Sequence, residues 1–293
     1  MSVMTEGKNI YVLKASCKGV IGTVARISTF LAERHCYIME MQQFDEILTG
    51  RFFVRTVFST EPGRTPSFDA LKQAFGEELP RAEEDFTWEM HDTLVRPKVL
   101  LMVSKFDHCL DDLLYRLRTG ELKMEVPAIV SNHPDLKRLA DWHGIPFHHL
   151  PVTPETKAAQ EARLLELVAE TGSDLVVLAR YMQVLSEDLC HKLSGRAINI
   201  HHSFLPGFKG ARPYHQAHAR GVKLIGATAH FVTADLDEGP IIEQEVKRVS
   251  HRQTPEDLAE IGRDVERLAL SRAVRLFAED RVFLDGKRTV VFG

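Results

Sequence analysis

Val99-Leu100-Leu101-Met102-Val103 is an uninterrupted apolar run, typical of a strand buried on both faces of a parallel sheet. Helical spacing follows over Leu110 to Leu117, and further apolar strands lie at Val126 to Val130 and Asp174 to Ala179. A helix over Thr156 to Glu170 precedes the last of these strands. Strands that alternate with helices predict a doubly wound, mostly parallel, Rossmann-like α/β sheet, whose ligands bind beyond the carboxyl ends of the strands.

The sequence before this run has a different order of elements. Strand patterns lie there at Ile10 to Ser16, Tyr37 to Phe44, Arg51 to Phe58 and Phe86 to Met90. Helical spacing lies at Val24 to Leu31 and at Leu71 to Leu79. The order β-α-β-β-α-β predicts a small ferredoxin-like α+β domain. We therefore predict two domains, residues 1–92 and residues 93–293.

The end of the chain also carries local signals. Thr254-Pro255-Glu256-Asp257 combines an N-cap, a proline in the first turn and acidic residues, which predicts a helix that runs to about Glu279. Strand-forming residues on both sides of Asp285-Gly286 predict a hairpin turned at that dipeptide.

Composition narrows the class of protein. The 293 residues carry a formal net charge of -4, which argues against a nucleic-acid-binding surface and permits an anionic small-molecule substrate. No apolar run has the length of a membrane span, and the N-terminus lacks the apolar core of a signal peptide. The four cysteines have no CxxC spacing, which indicates reduced thiols in a cytoplasmic protein without a structural zinc site.

Polar side chains end two apolar strands further along the chain. Asn199 and His201 lie two residues apart in the stretch Ala197 to Pro206, so a strand directs both side chains to one side. Asp237 follows the strand that contains His230. An amide donor, an imidazole and a carboxylate are suited to attack on a carbonyl group, so we predict that Asn199, His201 and Asp237 are catalytic. We assign His230 the role of fixing Asp237.

The pattern Asn-Ile-His-x-Ser-x-Leu-Pro at Asn199, followed by His-Phe-Val-Thr-x-x-Leu-Asp-x-Gly-Pro at His230, resembles the folate-dependent formyltransferase family. In that family the matching Asn, His and Asp are catalytic, and Ser203 belongs to the residues that support them. The resemblance implies that Asn199 donates to the oxyanion, that His201 stabilises it or protonates N10, and that Asp237 orients His201 and the attacking water. The folate-binding residues implied are Arg180, Tyr181, Met182, Val184, Leu185, Gly207 and Lys209.

Three features are similar to the deformylase branch of that family: an N-terminal ACT-like domain, His202 after the catalytic histidine, and the loop Pro206 to His215. This branch hydrolyses 10-formyltetrahydrofolate to formate and tetrahydrofolate, which supplies formate for purine synthesis and balances the one-carbon folate pools. The resemblance implies that the reduced folate is the substrate and that no cofactor is needed. His215-x-x-His218 falls at helical spacing, but no third ligand is evident, so we predict no metal site.

The acceptor of the formyl group is predicted to be water. The ribonucleotide-using relatives follow their first strand with a glycine-rich phosphate loop, whereas this chain has Phe106 and Asp107 at that place. The tRNA-modifying relatives add a C-terminal domain for which too little chain remains here. Two alternatives stay open: a formyltransferase with an unidentified amine acceptor, and a non-enzymatic amino-acid or folate sensor.

The ACT-like resemblance has implications for regulation. In the family, glycine and methionine act as effectors, and ACT domains pair between subunits, which implies a homo-oligomer (a dimer or a tetramer). The corresponding effector site involves Gly19 and Gly22, with Gly19 at the position where the family has aspartate. A purely structural role in dimerisation is the alternative.

Overall fold

The computed structural model describes residues 7–80, 85–207 and 213–293. The chain divides into two compact units, Met1–Arg96 together with Phe292–Gly293, and Pro97–Val291. The predicted boundary after residue 92 falls in the segment between the strands Thr87–Asp92 and Val99–Val103. The last two residues differ from the prediction, because they lie with the first unit.

The first unit has the predicted β-α-β-β-α-β order. Its elements are β1 (Ile10–Lys18), α1 (Thr23–Glu33), β2 (Cys36–Glu46), β3 (Arg51–Thr60), α2 (Phe68–Glu78) and β4 (Thr87–Asp92). The strands form an antiparallel sheet in the order β2-β3-β1-β4. This is the ferredoxin-like topology. The core between sheet and helices contains Leu13, Ile27, Phe58 and Phe75, all fully buried.

The two glycines assigned to an effector site each have a local structural reason. Gly22 precedes α1 with φ at 93°, a conformation that favours glycine. A Cβ atom on Gly19 would lie 2.9 Å from Oδ1 of Asp45, and the Gly19 N–H donates to the carbonyl of Gly50. Their role in effector binding stays a prediction.

The second unit holds the remaining elements. They are β5 (Val99–Val103), α3 (His108–Arg118), β6 (Ile129–Ser131), α4 (Lys137–Trp142), β7 (Phe147–His149), α5 (Lys157–Thr171), β8 (Leu175–Leu178), α6 (Glu187–Lys192), β9 (Ala197–His201), α7 (Pro213–Ala219), β10 (Leu224–Phe231), β11 (Ile241–Arg248), α8 (Pro255–Ala278), β12 (Val282–Asp285) and β13 (Arg288–Val291).

Seven of these strands form one sheet in the order β11-β10-β9-β8-β5-β6-β7. The pairs from β9 to β7 are parallel, and β10 runs antiparallel to both of its neighbours. The mostly parallel, doubly wound sheet is confirmed. The strand order reverses between β5 and β8, which is the topological switch point at which such sheets bind ligands.

Alternation along the strands divides the apolar side chains between the two faces of this sheet. Leu101 and Val177 belong to one buried cluster, with residues of α3, α4 and α8. Leu100 and Val176 belong to a second cluster, with residues of α5 and α6. Both faces are therefore covered, which explains why β5 has no polar residue.

Two strands that were not predicted, β7 and β11, are the two edges of the sheet. β11 contains mainly charged and polar residues after its first two isoleucines and has one buried residue, so it lacks the apolar run that identifies a central strand. The short helix α6 was also not predicted, and β6 begins later than the sequence indicated.

The C-terminal signals were mostly correct. Thr254 and Asp257 form a reciprocal capping box at the start of α8. The hairpin of β12 and β13 turns at Gly286-Lys287, one residue later than predicted, because Asp285 still pairs with Arg288. Among the described helices, none is both long and apolar enough to span a membrane.

Candidate active site

The predicted catalytic residues come from two adjacent strands and the loop that follows the second. β9 places Asn199 and His201 on one side of the sheet, and β10 pairs with it so that His230 lies opposite Asn199. Asp237 lies in the loop after β10 with φ at 58°, in the left-handed region. The three predicted residues are therefore brought together at one end of the sheet.

His201 and Asp237 form the central contact. Nδ1 of His201 lies 3.2 Å from Oδ1 of Asp237, and both side chains are buried. Nε2 of His201 is also buried and has no hydrogen-bond partner among the described residues. Burial opposes ionisation of Asp237, but the hydrogen bond and charge from His201 prevail and hold the pKa of this carboxyl below its usual value. The ionised carboxylate can thus orient the imidazole, whose Nε2 is left for a reacting group.

His230 has a different main partner from the one we assigned. Its Nδ1 lies 2.8 Å from the carbonyl oxygen of Phe231, to which it donates, so Nε2 accepts from the amide of Asn199 at 3.2 Å. The distance from Nε2 to Oδ1 of Asp237 is 3.8 Å, which is too long for a hydrogen bond. Burial lowers the pKa of His230 and keeps this imidazole neutral. His230 therefore orients Asn199 directly, with Asp237 only nearby.

The loop that carries Asp237 closes tightly on the end of β10. The Phe231 N–H donates to the carbonyl of Pro240 at 2.9 Å. A Cβ atom on Gly239 would lie 1.7 Å from the carbonyl oxygen of Phe231 and 3.1 Å from Nδ1 of His230. Only glycine fits this close approach, which explains the Gly-Pro at the end of the motif.

The other residues expected near the site, Ser203, Gly207 and Lys209, differ in burial and in whether the structure describes them. Ser203 is buried and donates to the carbonyl of Gly207 at 2.9 Å, so it shapes the loop after β9. Its own carbonyl accepts from Thr228 of β10. Gly207 is exposed at the turn. Lys209 lies outside the described residues, and its predicted role stays a prediction.

The segment predicted to bind folate connects β8 to α6. Met182 and Val184 are about half exposed, at 49% and 58%, and are able to contact an apolar ring. The side chains of Arg180 and Tyr181 turn inward instead, and their role in folate binding stays a prediction. Leu185 packs partly against the second core.

Buried side chains hold this segment from below. Ser104, at the end of β5, donates to Asn132 at 2.6 Å and accepts from the backbone N–H of Met182 at 3.0 Å. Glu161 of α5 accepts from both the backbone and the hydroxyl of Ser186. The backbone of the exposed segment is therefore fixed at both ends.

A group of buried polar side chains beside the site was not predicted. Glu266 of α8, only 1% exposed, accepts from Tyr214 at 2.7 Å and from His108 at 2.8 Å, and Nε of Arg180 lies 3.3 Å from it. We call these four residues the Glu266 cluster. Burial would raise the pKa of Glu266, but its hydrogen bonds and the charge of Arg180 hold that pKa below its usual value. The signal in the sequence was a glutamate on the apolar face of α8.

The Glu266 cluster does not suit a metal ion, although ligand atoms of His108, Cys109 and Glu266 lie within 4.8 Å of one another. Arg180 already supplies the positive charge beside the carboxylate. His215 and His218 are exposed on α7, and neither belongs to a three-ligand group within the described ranges.

His202 links the Glu266 cluster to His201. Its ring centroid lies 5.2 Å from that of His201 and 6.2 Å from that of Tyr214. Burial, followed by the charge of Arg180, lowers the pKa of His202 to about 4. The imidazole beside His201 is therefore neutral at neutral pH.

We expect acid to destabilise the folded protein through His202. Because its folded pKa lies below the ordinary value of 6.5, the unfolded state takes up the proton first. The stabilising contribution is present above pH 6.5 and is lost as the pH falls towards 4. Between pH 7.5 and pH 5 this group should cost about 2 kcal/mol. Urea unfolding of the parent and of a His202→Asn variant at both pH values measures this loss of unfolding free energy. The variant should lose about 2 kcal/mol less than the parent between pH 7.5 and pH 5, and equal losses would contradict the assignment.

Comparison with known proteins gives consistent relatives. Residues 97–274 match the family model for formyl transferase. A formyltetrahydrofolate deformylase from Corynebacterium sp. (strain P-1) is 51% identical over 96% of this chain and 97% of the relative. The crystal structure of a formyltetrahydrofolate deformylase from Burkholderia mallei has a TM-score of 0.93 at 56% identity, covering 97% of this chain and 100% of that one. Glycinamide ribonucleotide transformylase 1 from Symbiobacterium toebii has a TM-score of 0.63 at 34% identity, covering 68% of this chain and 95% of that one.

Proposed function

The chain belongs to the formyl transferase family, as one of its formyltetrahydrofolate deformylases, and we propose that Asn199, His201 and Asp237 catalyse the hydrolysis of 10-formyltetrahydrofolate to formate and tetrahydrofolate. The observation that supports these roles is the environment of the two ring nitrogens of His201. Its Nδ1 lies against Asp237, and its buried Nε2 has no partner among the described residues.

The reaction needs a stabilised oxyanion. Water adds to the formyl carbon, and the carbonyl oxygen becomes an oxyanion in the tetrahedral intermediate. One N–H of the Asn199 amide binds His230, which leaves the second N–H for this oxygen. A donor that is already oriented in a buried site costs no reorganisation as the charge develops.

The reaction also moves one proton. The attacking water loses a proton, and N10 gains one as the C–N10 bond breaks, so formate and tetrahydrofolate result. Nε2 of His201 accepts the first proton and returns it to N10, acting as general base and then general acid. Asp237, on Nδ1, holds the ring in the required tautomer and stabilises its charged form.

The decisive experiment is formate release from purified protein and 10-formyltetrahydrofolate with no amine present. We expect formate and tetrahydrofolate in equal amounts. A protein that turns over only when an amine is supplied would be a transferase, and a protein that binds folate without turnover would be a sensor.

We expect Asn199→Ala to lower kcat by about 10²–10³-fold, the usual cost of one oxyanion donor. Because the donor acts mainly in the transition state, KM should change little. Steady-state kinetics of formate release measure both values, and circular dichroism checks that the variant is folded. A variant with the parent's kcat would exclude this role.

Folate binding is assigned to the segment from Arg180 to Leu185 and to Gly207. Met182 and Val184 offer apolar surface to the pteridine ring, and the backbone around Met182 is held by Ser104. Backbone groups in a fixed position recognise a flat heterocycle without the loss of conformational entropy that a mobile loop would incur.

No metal or organic cofactor is required in this proposal, since the amide, the imidazole and the carboxylate together supply the donor, the base and the acid. Unchanged formate release after dialysis against a chelator would agree with it. Formate made in this way would serve purine synthesis and the one-carbon folate pools. A cytoplasmic location is supported by four free, buried cysteines.

For the first unit, which we regard as ACT-like, we propose regulation or assembly of a homo-oligomer, either a dimer or a tetramer. Its edge strand β2 exposes apolar side chains, including Tyr37 at 72% and Met39 at 50%. Calorimetric titration with glycine and with methionine tests the effector role of Gly19 and Gly22. Sedimentation velocity tests the assembly.

A further inference from the structure

Two members of the Glu266 cluster, His108 and Arg180, follow β5 and β8, at the edge of the sheet where ligands of this fold bind. We propose that the Glu266 cluster closes the acceptor position of the site, so that water but no amine reaches the formyl group. The inference rests on the proposed function and names the residues that determine its acceptor. A transferase of the same fold must hold an amine beside the formyl carbon, and this chain fills that position with its own side chains.

The first argument is the place of the cluster in the sheet. His108 begins α3 soon after β5, and Arg180 follows β8, so both residues stand at the carboxyl ends of the strands on either side of the switch point. Ligands of doubly wound sheets lie in the crevice at this point.

The second argument is the closure of the cluster. The side chains of His108 and Arg180 are each 10% exposed, Tyr214 is 9% exposed and Glu266 is 1% exposed. A Cβ atom on Gly262 would lie 2.1 Å from the Tyr214 side chain, so this side chain packs directly against the backbone of α8. Packed protein groups therefore occupy the crevice, and the buried Nε and Nη1 of Arg180 and Nδ1 of His108 have no hydrogen-bond partner among the described residues.

The third argument is chemical. An amine acceptor is larger than water, and its amino group is held by donating N–H hydrogen bonds to acceptor oxygens that are free to receive them. Both oxygens of Glu266 are already engaged, one by Tyr214 and the other by His108, with Arg180 beside it. A phosphate-bearing acceptor would also meet the negative charge of this carboxylate. Water needs neither that space nor a free Glu266 oxygen, and its proton passes to His201.

The cluster reaches the reacting groups through one residue. His202 follows His201 in the chain, and its ring lies between those of His201 and Tyr214, with centroid distances of 5.2 and 6.2 Å. The Arg180 and Glu266 charges both act on the His202 imidazole. An acceptor placed in the cluster's volume would thus lie next to the catalytic histidine.

The test uses the full-length enzyme, 10-formyltetrahydrofolate and an excess of glycinamide as the probe amine, with formate and N-formylglycinamide both quantified. The parent should form formate and no N-formylglycinamide above the uncatalysed background. His108→Ala removes one wall of the cluster, and N-formylglycinamide should rise to about tenfold or more above that uncatalysed background. His108→Asn, which is smaller but can still donate to Glu266, is the second variant if His108→Ala does not fold.

Lys105→Ala is the matched control, because Lys105 is exposed in the loop that leads into α3; it should keep the parent's product ratio. N-formylglycinamide from the parent at a share equal to that of the histidine variants would overturn the inference. A folded, formate-releasing histidine variant with no transfer product would overturn it as well. If the parent released no formate in the absence of an amine, the proposed function would be contradicted instead. The two failures are therefore distinguishable.

Discussion

Replacing Asp237 by asparagine should lower kcat for formate release by about 10³–10⁴-fold. The carboxylate lies 3.2 Å from Nδ1 of His201 and holds the proton there, which leaves Nε2 to accept a proton from water. An asparagine can present an N–H to that nitrogen instead, which favours the wrong tautomer and removes the negative charge that stabilises the protonated ring. The size and shape of the side chain are nearly unchanged, so the fold should be retained.

Asp235→Asn is the matched control for this prediction. Asp235 lies two residues earlier in the same loop and is exposed, and only its backbone carbonyl accepts described hydrogen bonds. We expect the parent's kcat from this variant in the same formate assay. If Asp237→Asn kept a kcat within tenfold of the parent while folded, the His201–Asp237 pair would not be the proton-carrying unit.

Replacing Gly239 by alanine should abolish formate release, with a loss of at least about 10³-fold. The added methyl would lie 1.7 Å from the Phe231 carbonyl oxygen, so the backbone has to move. That oxygen accepts from Nδ1 of His230, and His230 in turn orients Asn199. The shift would therefore displace the oxyanion donor and the loop that carries Asp237.

Gly221→Ala serves as the control for glycine replacement. Gly221 has φ at 61° and no atom within 4 Å of an added Cβ, so the cost should be limited to about 1–2 kcal/mol of stability. Its kcat should equal that of the parent. Circular dichroism and formate assays of both variants separate a local loss of the site from unfolding, and an active Gly239→Ala variant would contradict the close-approach argument.

The sequence was informative where one residue type has one physical meaning. The apolar run of β5 and the helical spacing that follows it identified a parallel sheet, because a strand buried on both faces cannot contain polar residues. The two edge strands, β7 and β11, were missed because an edge strand has a partner on one side only and tolerates charge. Thr254 and Asp257 predicted the start of α8 correctly, because a capping box is a local interaction.

The candidate catalytic residues could also be predicted from local sequence patterns. Asn199 and His201 share a side of β9 through the two-residue period of a strand, and Gly239-Pro240 marks a loop that must approach its own strand closely. The sequence by itself therefore determined the fold class, and it identified Asn199, His201 and Asp237 as candidates that the structure brings together at one end of the sheet.

Only the tertiary structure decided which polar groups are partners. The pairing of β9 with β10 sets His230 opposite Asn199, so Nε2 of His230 accepts a hydrogen bond from the Asn199 amide. The distance from the same nitrogen to Asp237 is too long for a hydrogen bond. His108 and Glu266 are 158 positions apart, and no local pattern connects them. Strand and helix periods specify which side of an element a residue occupies, whereas register and the packing of α8 on the sheet specify what that side meets. The proposed exclusion of an amine acceptor rests on that second kind of information.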